Sequence, residues 1–414
     1  MTADRTAPRM PGLEDEIAVA AERLRGSPGG ALPQLVARLP EAPSCPQDWF
    51  TLLRRFPTSR KSVRRLHRMA ARLAAAGWPA GTLERFALSQ SFLAALPRLP
   101  ELPADPSVKR LFCGACLQVA TVDKRWAKQF DLASKAFEEM AEIATLHRLP
   151  AGQLSFDRTS LPRSWWLAVH PLDLPDLLRE VFRGLGGHGP LLSPHTSHWR
   201  PNPLLLLPQE NERSLWRIAK SMQLQPDIRG LMADSWMYSA DVGEGFPHLA
   251  WLRDFFVEQG AFVVDLELAD PGSGFLIGSA RRRQLYENKA FRPRHTLVLW
   301  RRADMLAWAA RHPELGEAGP LPAPAGGMPC LASKRQPDRR RGSLGRLLPP
   351  SGRWTLVDAK PWLAGRPKLY ILSTLLAPSM GTAIAAASLD RWLALPAFFL
   401  SLIVMWLFQY FFLQ

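Results

Sequence analysis

Over roughly the first third of the chain the apolar positions recur at three- and four-residue spacing, the period of a helix with one buried face. Residues 59–76, SRKSVRRLHRMAARLAAA, show it most clearly: Val63, Leu66, Met69, Ala70 and Leu73 fall on one side and arginines occupy the rest. The same spacing predicts helices over 13–24, from Trp49 onward, and over 80–96, 108–119 and 124–146. Residues 49–149 therefore read as an α-helical domain behind a loose or helical N-terminal segment, 1–48.

Further along, the texture changes. Residues 150–202 are spaced by prolines and read as a connecting region with short elements, one of them a helix over 171–185. From 203 on, short apolar runs bounded by turn residues alternate with helical stretches. Strands are expected at 203–208, 228–238, 261–268 and 296–300, and helices at 212–222, 248–259, 279–288 and 305–311. Such alternation argues for helices covering a sheet. The expected fold class is α+β or α/β: a helical N-terminal domain, then an α/β domain with a small mixed sheet over 203–315. Residues 316–367 are rich in Pro, Gly and Arg, the composition of a basic linker.

The last segment, 368–414, carries the strongest apolar signal. Residues 369–388 contain no charge, Leu389-Asp390-Arg391 interrupts, and residues 392–413 are again uncharged and mostly large and apolar. At 1.5 Å per residue each stretch is long enough for a bilayer core of about 30 Å. Asp390 and Arg391 would each cost about 2.5–3.5 kcal/mol at a helix centre, so they mark an interfacial turn. A transmembrane helical hairpin is expected; a single span by the last stretch alone is the alternative. Ten basic residues from Lys334 to Lys368 lie upstream, so the positive-inside rule keeps that flank cytoplasmic. MTADRTAPRMPG has no apolar core of a signal peptide. The expected location is the inner or plasma membrane, with the body facing the cytoplasm.

Composition narrows the classes further. In 414 residues, 47% hydrophobic, with a net charge of +15 and only 4 cysteines, neither a disordered chain nor a disulfide scaffold is expected. The arginines are scattered and no RRM, KH or zinc-finger pattern is present, so nucleic acid is not the expected partner. The arginine cluster at 334–346 points instead to the bilayer and its anionic lipid headgroups.

Several groups carry candidate chemistry. Cys113 and Cys116 form the one CxxC, half a zinc site or redox pair by spacing, but read as two small residues one helical turn apart. His195 and His198 sit in a proline-bounded loop whose spacing fits no metal template, and no metal is expected. Glu138, Glu139 and Glu142 read as the solvated side of a helix. Gly184 to Gly189 reads as a connector. The glycine-rich stretch with Gly274 and Gly278 leads through Ser279, a cap, into Arg281 and Arg282, with Arg294 beyond; amides at a helix start beside cationic forks suit phosphate.

Glu212-Arg213, Trp216-Arg217, 226–230, 235–239, 247–252, 282–287, 291–294 and 297–300 together resemble a family of uncharacterised bacterial proteins. More distantly, 212–310 is similar to GNAT-type acyltransferases, in which a glycine-containing turn opens a helix that holds the coenzyme A pyrophosphate. The resemblance implies Gly274, Gly278, Arg281 and Arg282 as the matching positions and coenzyme A as the ligand.

Two functional readings stand. In one, the α/β domain is an acyltransferase-like enzyme for a phosphate-bearing small molecule. Arg281, Arg282 and Arg294 would bind phosphate, and Asp234, Tyr238 or His248 would act as acid or base. In the other it is a membrane-tethered scaffold without catalysis.

Overall fold

The computed structural model describes residues 12–26, 36, 38–121, 131–162, 165, 168–197, 208–266, 280–291 and 294–317. The chain divides into two compact units, Met1–Leu161 with Ala168–Ala323, and Pro162–Leu167 with Pro324–Gln414. The second lies almost wholly outside the described residues. So do the expected hairpin, most of the linker, and the strand read at 203–208, save Pro208. Among the described residues, no helix is long and apolar enough to cross a membrane.

The N-terminal part is helical where the 3.6 period predicts it, except that the helix read over 124–146 starts only at Lys135, with 122–130 outside the described residues. It contains α1 (Leu13–Arg25), α2 (Pro46–Arg54), α3 (Arg60–Ala75), α4 (Thr82–Ala95), α5 (Pro106–Ala120) and α6 (Lys135–Ala144). Starts coincide with side-chain caps. Ser59 accepts from the Ser62 amide at 3.3 Å, Asp105 from Ser107 at 2.9 Å and Ser134 from Phe137 at 3.1 Å. α3 buries Leu66, Met69 and Leu73 as its pattern requires, leaving Val63 and Ala70 half-buried. They join a core built around Trp49, Phe50, Leu53, Phe92, Phe112 and Phe137. Cys113 and Cys116 are buried in it on α5. Burial, and then the charge of Glu16, pushes the Cys113 thiol up to about 12, which makes it a poor nucleophile or metal ligand at neutral pH.

The rest forms an α+β layer around one six-stranded mixed sheet, in the order β1 (Arg148–Pro150), β2 (Leu154–Thr159), β3 (Leu191–Thr196), β4 (Gly230–Ser235), β6 (His295–Arg301), β5 (Phe262–Leu266). Three of these strands come from 148–196, a stretch that reads in sequence as helix end and loop. The expected strands at 228–238, 261–268 and 296–300 are present, the first ending in a 3-10 turn, Trp236–Tyr238. Between strands lie α7 (Leu174–Arg179), which runs on as a π turn over Glu180–Gly184, then α8 (Pro208–Gln223), α9 (Ala250–Glu258) and α10 (Ala280–Glu287), and α11 (Arg302–Arg311) follows β6.

Strand alternation sends side chains to two faces. One carries Phe156, Leu192, Leu231, Ala233, Val298 and Trp300 and packs under α8, α9 and α11 in a second core. Trp300 is fully buried there, its ring 5.3 Å from Trp308 and 5.7 Å from both Phe255 and Phe256. Arg302 ties the C-terminal end of α8 to this sheet. Its Nη1 donates to the carbonyls of Met222 at 2.8 Å, Gln225 at 2.8 Å and Ile228 at 3.0 Å. A cation satisfying the orphan carbonyls of a helix end is favourable on both hydrogen-bonding and dipole grounds. Arg302→Ala is expected to cost about 2–3 kcal/mol, read as a lowered unfolding midpoint in detergent, and lysine restores only part because its single nitrogen lacks the second arm that reaches the Gln223 carbonyl at 3.4 Å.

Candidate functional site

The sheet has one irregular seam. β2 pairs with β3 along its whole length, from Leu154 opposite Thr196 to Thr159 opposite Leu191, and β4 pairs likewise with β6. β3 and β4 are the parallel neighbours, and they match at one position, Leu192 opposite Leu231, near the start of each strand. Past that point the ladder between them is not continued. A ladder that stops early leaves the C-terminal ends of two parallel strands without mutual backbone pairing. This is the side of a sheet on which α/β folds place ligands.

On the face opposite α8, polar side chains stand at this end beside the buried Leu297 and Leu266. The register puts Asp157 of β2 opposite Ser193 and so diagonal to His195 of β3, with Asp234 on β4 diagonal to His295 at the start of β6. His195 Nε2 lies 3.2 Å from Asp157 Oδ1, and His295 Nδ1 lies 4.0 Å from Asp234 Oδ2. The first pair is close but out of line, since neither atom makes an aligned hydrogen bond. Two carboxylate–imidazole pairs thus flank the seam from opposite sides.

Their surroundings push the two carboxyls in opposite directions. For Asp157, burial favours the neutral acid, but contact with His195, and the charges of His195, Arg148 and His147, outweigh it and hold the pKa below the usual range. For Asp234, crowding by the protein raises the pKa, and attraction to His295 and His195 only partly offsets this. Its side chain keeps 39% of its surface. Relative to a free carboxyl, the surroundings thus favour the ionised form at Asp157 and the neutral form at Asp234.

Asp234 also supplies a prediction. Because its folded pKa is raised, ionisation is penalised by the fold, and this site's contribution to stability falls as pH rises through the carboxylate range. Asp234→Asn removes that penalty. Near neutral pH the variant is expected to melt at the same temperature or higher, read by thermal unfolding.

The helix α6 supplies a third layer. Glu142 is paired with Arg148 at 2.8 Å, and its pKa is raised by burial, partly offset by that arginine. Glu139 is buried and accepts from the Ser155 hydroxyl at 2.9 Å. The reading of this acidic side as solvated is corrected: β1 folds back along α6, so Glu139 and Glu142 face the sheet.

Of the acid–base candidates named from sequence, Asp234 lies at the seam. Tyr238 is close enough that burial first, then the Asp234 charge, pushes its phenol well above the usual range. Its ring stands edge-on to Phe256 at 5.4 Å. His248 is exposed on a short turn, its ring 6.3 Å from Phe246.

Gly274, Gly278 and Ser279 lie outside the described residues. Arg281 is exposed on α10, Arg282 stacks over Trp236 at 5.7 Å, and Arg294 pairs with Asp241 at 3.4 Å. Two of the three arginines thus have protein partners. In the 184–189 loop, a Cβ on Gly187 would come within 2.8 Å of the Arg229 guanidinium, so the chain's own cation fills that turn.

Sequence reasoning flagged His195 only as half of a histidine pair, and missed Asp157 and His295. The detectable signal for Asp157 is its place in LSFDRT, where polar residues alternate with Leu154 and Phe156. Among the described residues no cluster of three or more His, Cys, Asp or Glu side chains could hold a metal.

No family model matches the chain, and no curated protein does. A crystal structure of an acyltransferase mutant in complex with octanoyl-CoA is a distant neighbour, with 15% identity and a TM-score of 0.34 over 68% of this chain and 94% of that one. A likeness at that level does not establish a shared fold.

Proposed function

We propose that this chain is an acyltransferase-like enzyme that takes a phosphate-bearing acyl donor, such as a coenzyme A thioester, at the open seam between β3 and β4. The observation that carries the reading is the early end of the β3–β4 ladder with a carboxylate–imidazole pair on either side. In this reading Asp157 engages Nε2 of His195 and leaves Nδ1 to take a proton from an attacking amine or hydroxyl. The nucleophile bonds to the thioester carbonyl carbon, and the carbon–sulfur bond breaks to release the thiolate. Asp234, on the neighbouring strand and with a pKa raised by burial, is the acid that would return a proton to the leaving group. His195 is the base of this scheme, in place of the residues named from sequence.

We place the chain at the inner face of a membrane, held by the apolar stretches 369–388 and 392–413, with the lipid bilayer as its surroundings. The support is the sequence itself: two uncharged stretches of bilayer length behind a basic flank.

The test uses the full chain reconstituted in lipid. Acyl-coenzyme A thioesters of graded chain length are offered with and without an amine acceptor, and free coenzyme A is followed by mass spectrometry. Acceptor-dependent release is the expected result. Absence of both binding and release across the series would leave the scaffold reading in place.

A further inference from the structure

The helical part holds a second feature that acyl transfer does not use. Between α2 and α3 lies an open cleft of about 490 Å³, within the range of small-molecule sites. Its lining includes Ser44, Asp48, Arg55, Ser59, Lys61 and Arg65. Three cations thus face one carboxylate. Asp48 is already engaged, accepting from the Ser44 hydroxyl at 2.9 Å. The hydrogen bond from Ser44 is the first cause that holds its pKa below the usual range, with Arg65 adding to it. Arg65 Nε is turned to the Glu41 carbonyl, which leaves its charge uncancelled by that contact. Arg55 and Lys61 are exposed, and neither side chain has an acidic partner among the described residues.

Keeping unpaired cations around one concavity costs self-repulsion, which a bound anion relieves. The basic surface continues along α3 through Arg60 and Arg64, without an acidic partner for either among the described residues. No aromatic side chain lines the cleft, so a base-stacking platform for single-stranded nucleic acid is missing from its walls. Backbone contributes too. The first turn of α3, capped by Ser59, opens onto the same cleft, and its dipole adds to the field of the side chains.

We propose that the α2–α3 cleft is a binding site for a phosphate group, gripped by Arg55, Lys61 and Arg65, and separate from the seam in the sheet. A phosphate there arrives either on a soluble organic phosphate or as an anionic lipid headgroup. The recognition chemistry is the same for both sources.

The experiment titrates inorganic pyrophosphate into the full chain held in nanodiscs of phosphatidylcholine. The same titration is run on the double variant R55Q/K61Q and on His195→Ala. Both glutamine substitutions are at exposed positions, and an unchanged melting temperature certifies the fold. Loss of the two cations is expected to weaken pyrophosphate binding by about tenfold or more, while His195→Ala binds as the parent does. Repeating the titration with phosphatidic acid in the nanodisc separates the sources: weakened pyrophosphate binding assigns the cleft to a lipid headgroup, unchanged binding to a soluble phosphate. No pyrophosphate binding by the parent chain, or equal binding by R55Q/K61Q, overturns the site. Because His195 belongs to the other site, failure here leaves acyl transfer untouched, and the converse holds.

Discussion

Replacing His195 with alanine is expected to lower acyl transfer by about a hundredfold to ten-thousandfold, with the unfolding midpoint nearly unchanged. The size follows from the role: a positioned base acts on the proton in flight, and water replaces it poorly. The small structural effect follows from the surroundings. His195 keeps 31% of its side-chain surface and makes no aligned hydrogen bond to Asp157, so the fold loses little when the ring goes. Asp157→Asn should cost less activity, since it leaves the imidazole in place and removes only the charge that holds it. Steady-state kinetics with a saturating thioester reads both. If His195→Ala turns over like the parent, the imidazole is not the base and the seam must act through Asp234 and His295 alone.

The largest expected loss of stability lies on the opposite face. Trp300→Ala should cost about 3–5 kcal/mol, because a fully buried indole is removed from among three aromatic rings that cannot close the gap. Trp300→Phe separates shape from polarity. The indole Nε1 is buried without a hydrogen-bond partner, so phenylalanine sacrifices volume and leaves no donor stranded. Its cost is expected to stay below about 1.5 kcal/mol. Unfolding monitored by far-ultraviolet circular dichroism in detergent distinguishes the two variants; equal and large losses would mean that the indole nitrogen is satisfied after all.

These two residues show how differently the two faces of one sheet behave. Trp300 and Asp234 lie on adjacent strands, yet one is sealed under α9 and α11 and the other looks out beside the seam. Alternation along β4 and β6 produces the contrast directly. A one-residue slip of β6 against β4 would exchange His295 and Thr296 between faces and dismantle the Asp234–His295 pair.

Much of the fold is legible locally. The helices of the N-terminal part follow from a single period and from caps such as Ser59, Asp105 and Ser134. The strand at 296–300 follows from an uninterrupted apolar run that only a doubly covered strand can bury. Residues 148–196 resisted because their strands are short, carry Pro150 and Pro194, and mix Asp157, Arg158 and His195 among apolar positions. Proline and charge inside a strand read as loop unless neighbours are known to satisfy them.

The candidate site was less legible, for the same reason. Asp234 stands out at the end of an apolar run, where a charge in a strand terminus reads as functional. Asp157, His195 and His295 are separated by tens of residues, and nothing local to any of them announces the others. Glu139 and Glu142 point the same way: on a helical wheel they form a polar side, and only β1 lying back along α6 turns that side inward.

What the amino-acid order determined by itself is the set of elements with one strong period, the buried aromatic cores they require, and the apolar length of the final stretches. These depend on neighbours a few residues apart, where geometry is fixed by the backbone. The tertiary structure alone decided the strand order, the single matched position between β3 and β4, and the meeting of Asp157 with His195 and of Asp234 with His295. Such meetings arise from pairing between distant segments, and whether a carboxyl keeps or loses its proton depends on the burial and charge that those segments bring to it.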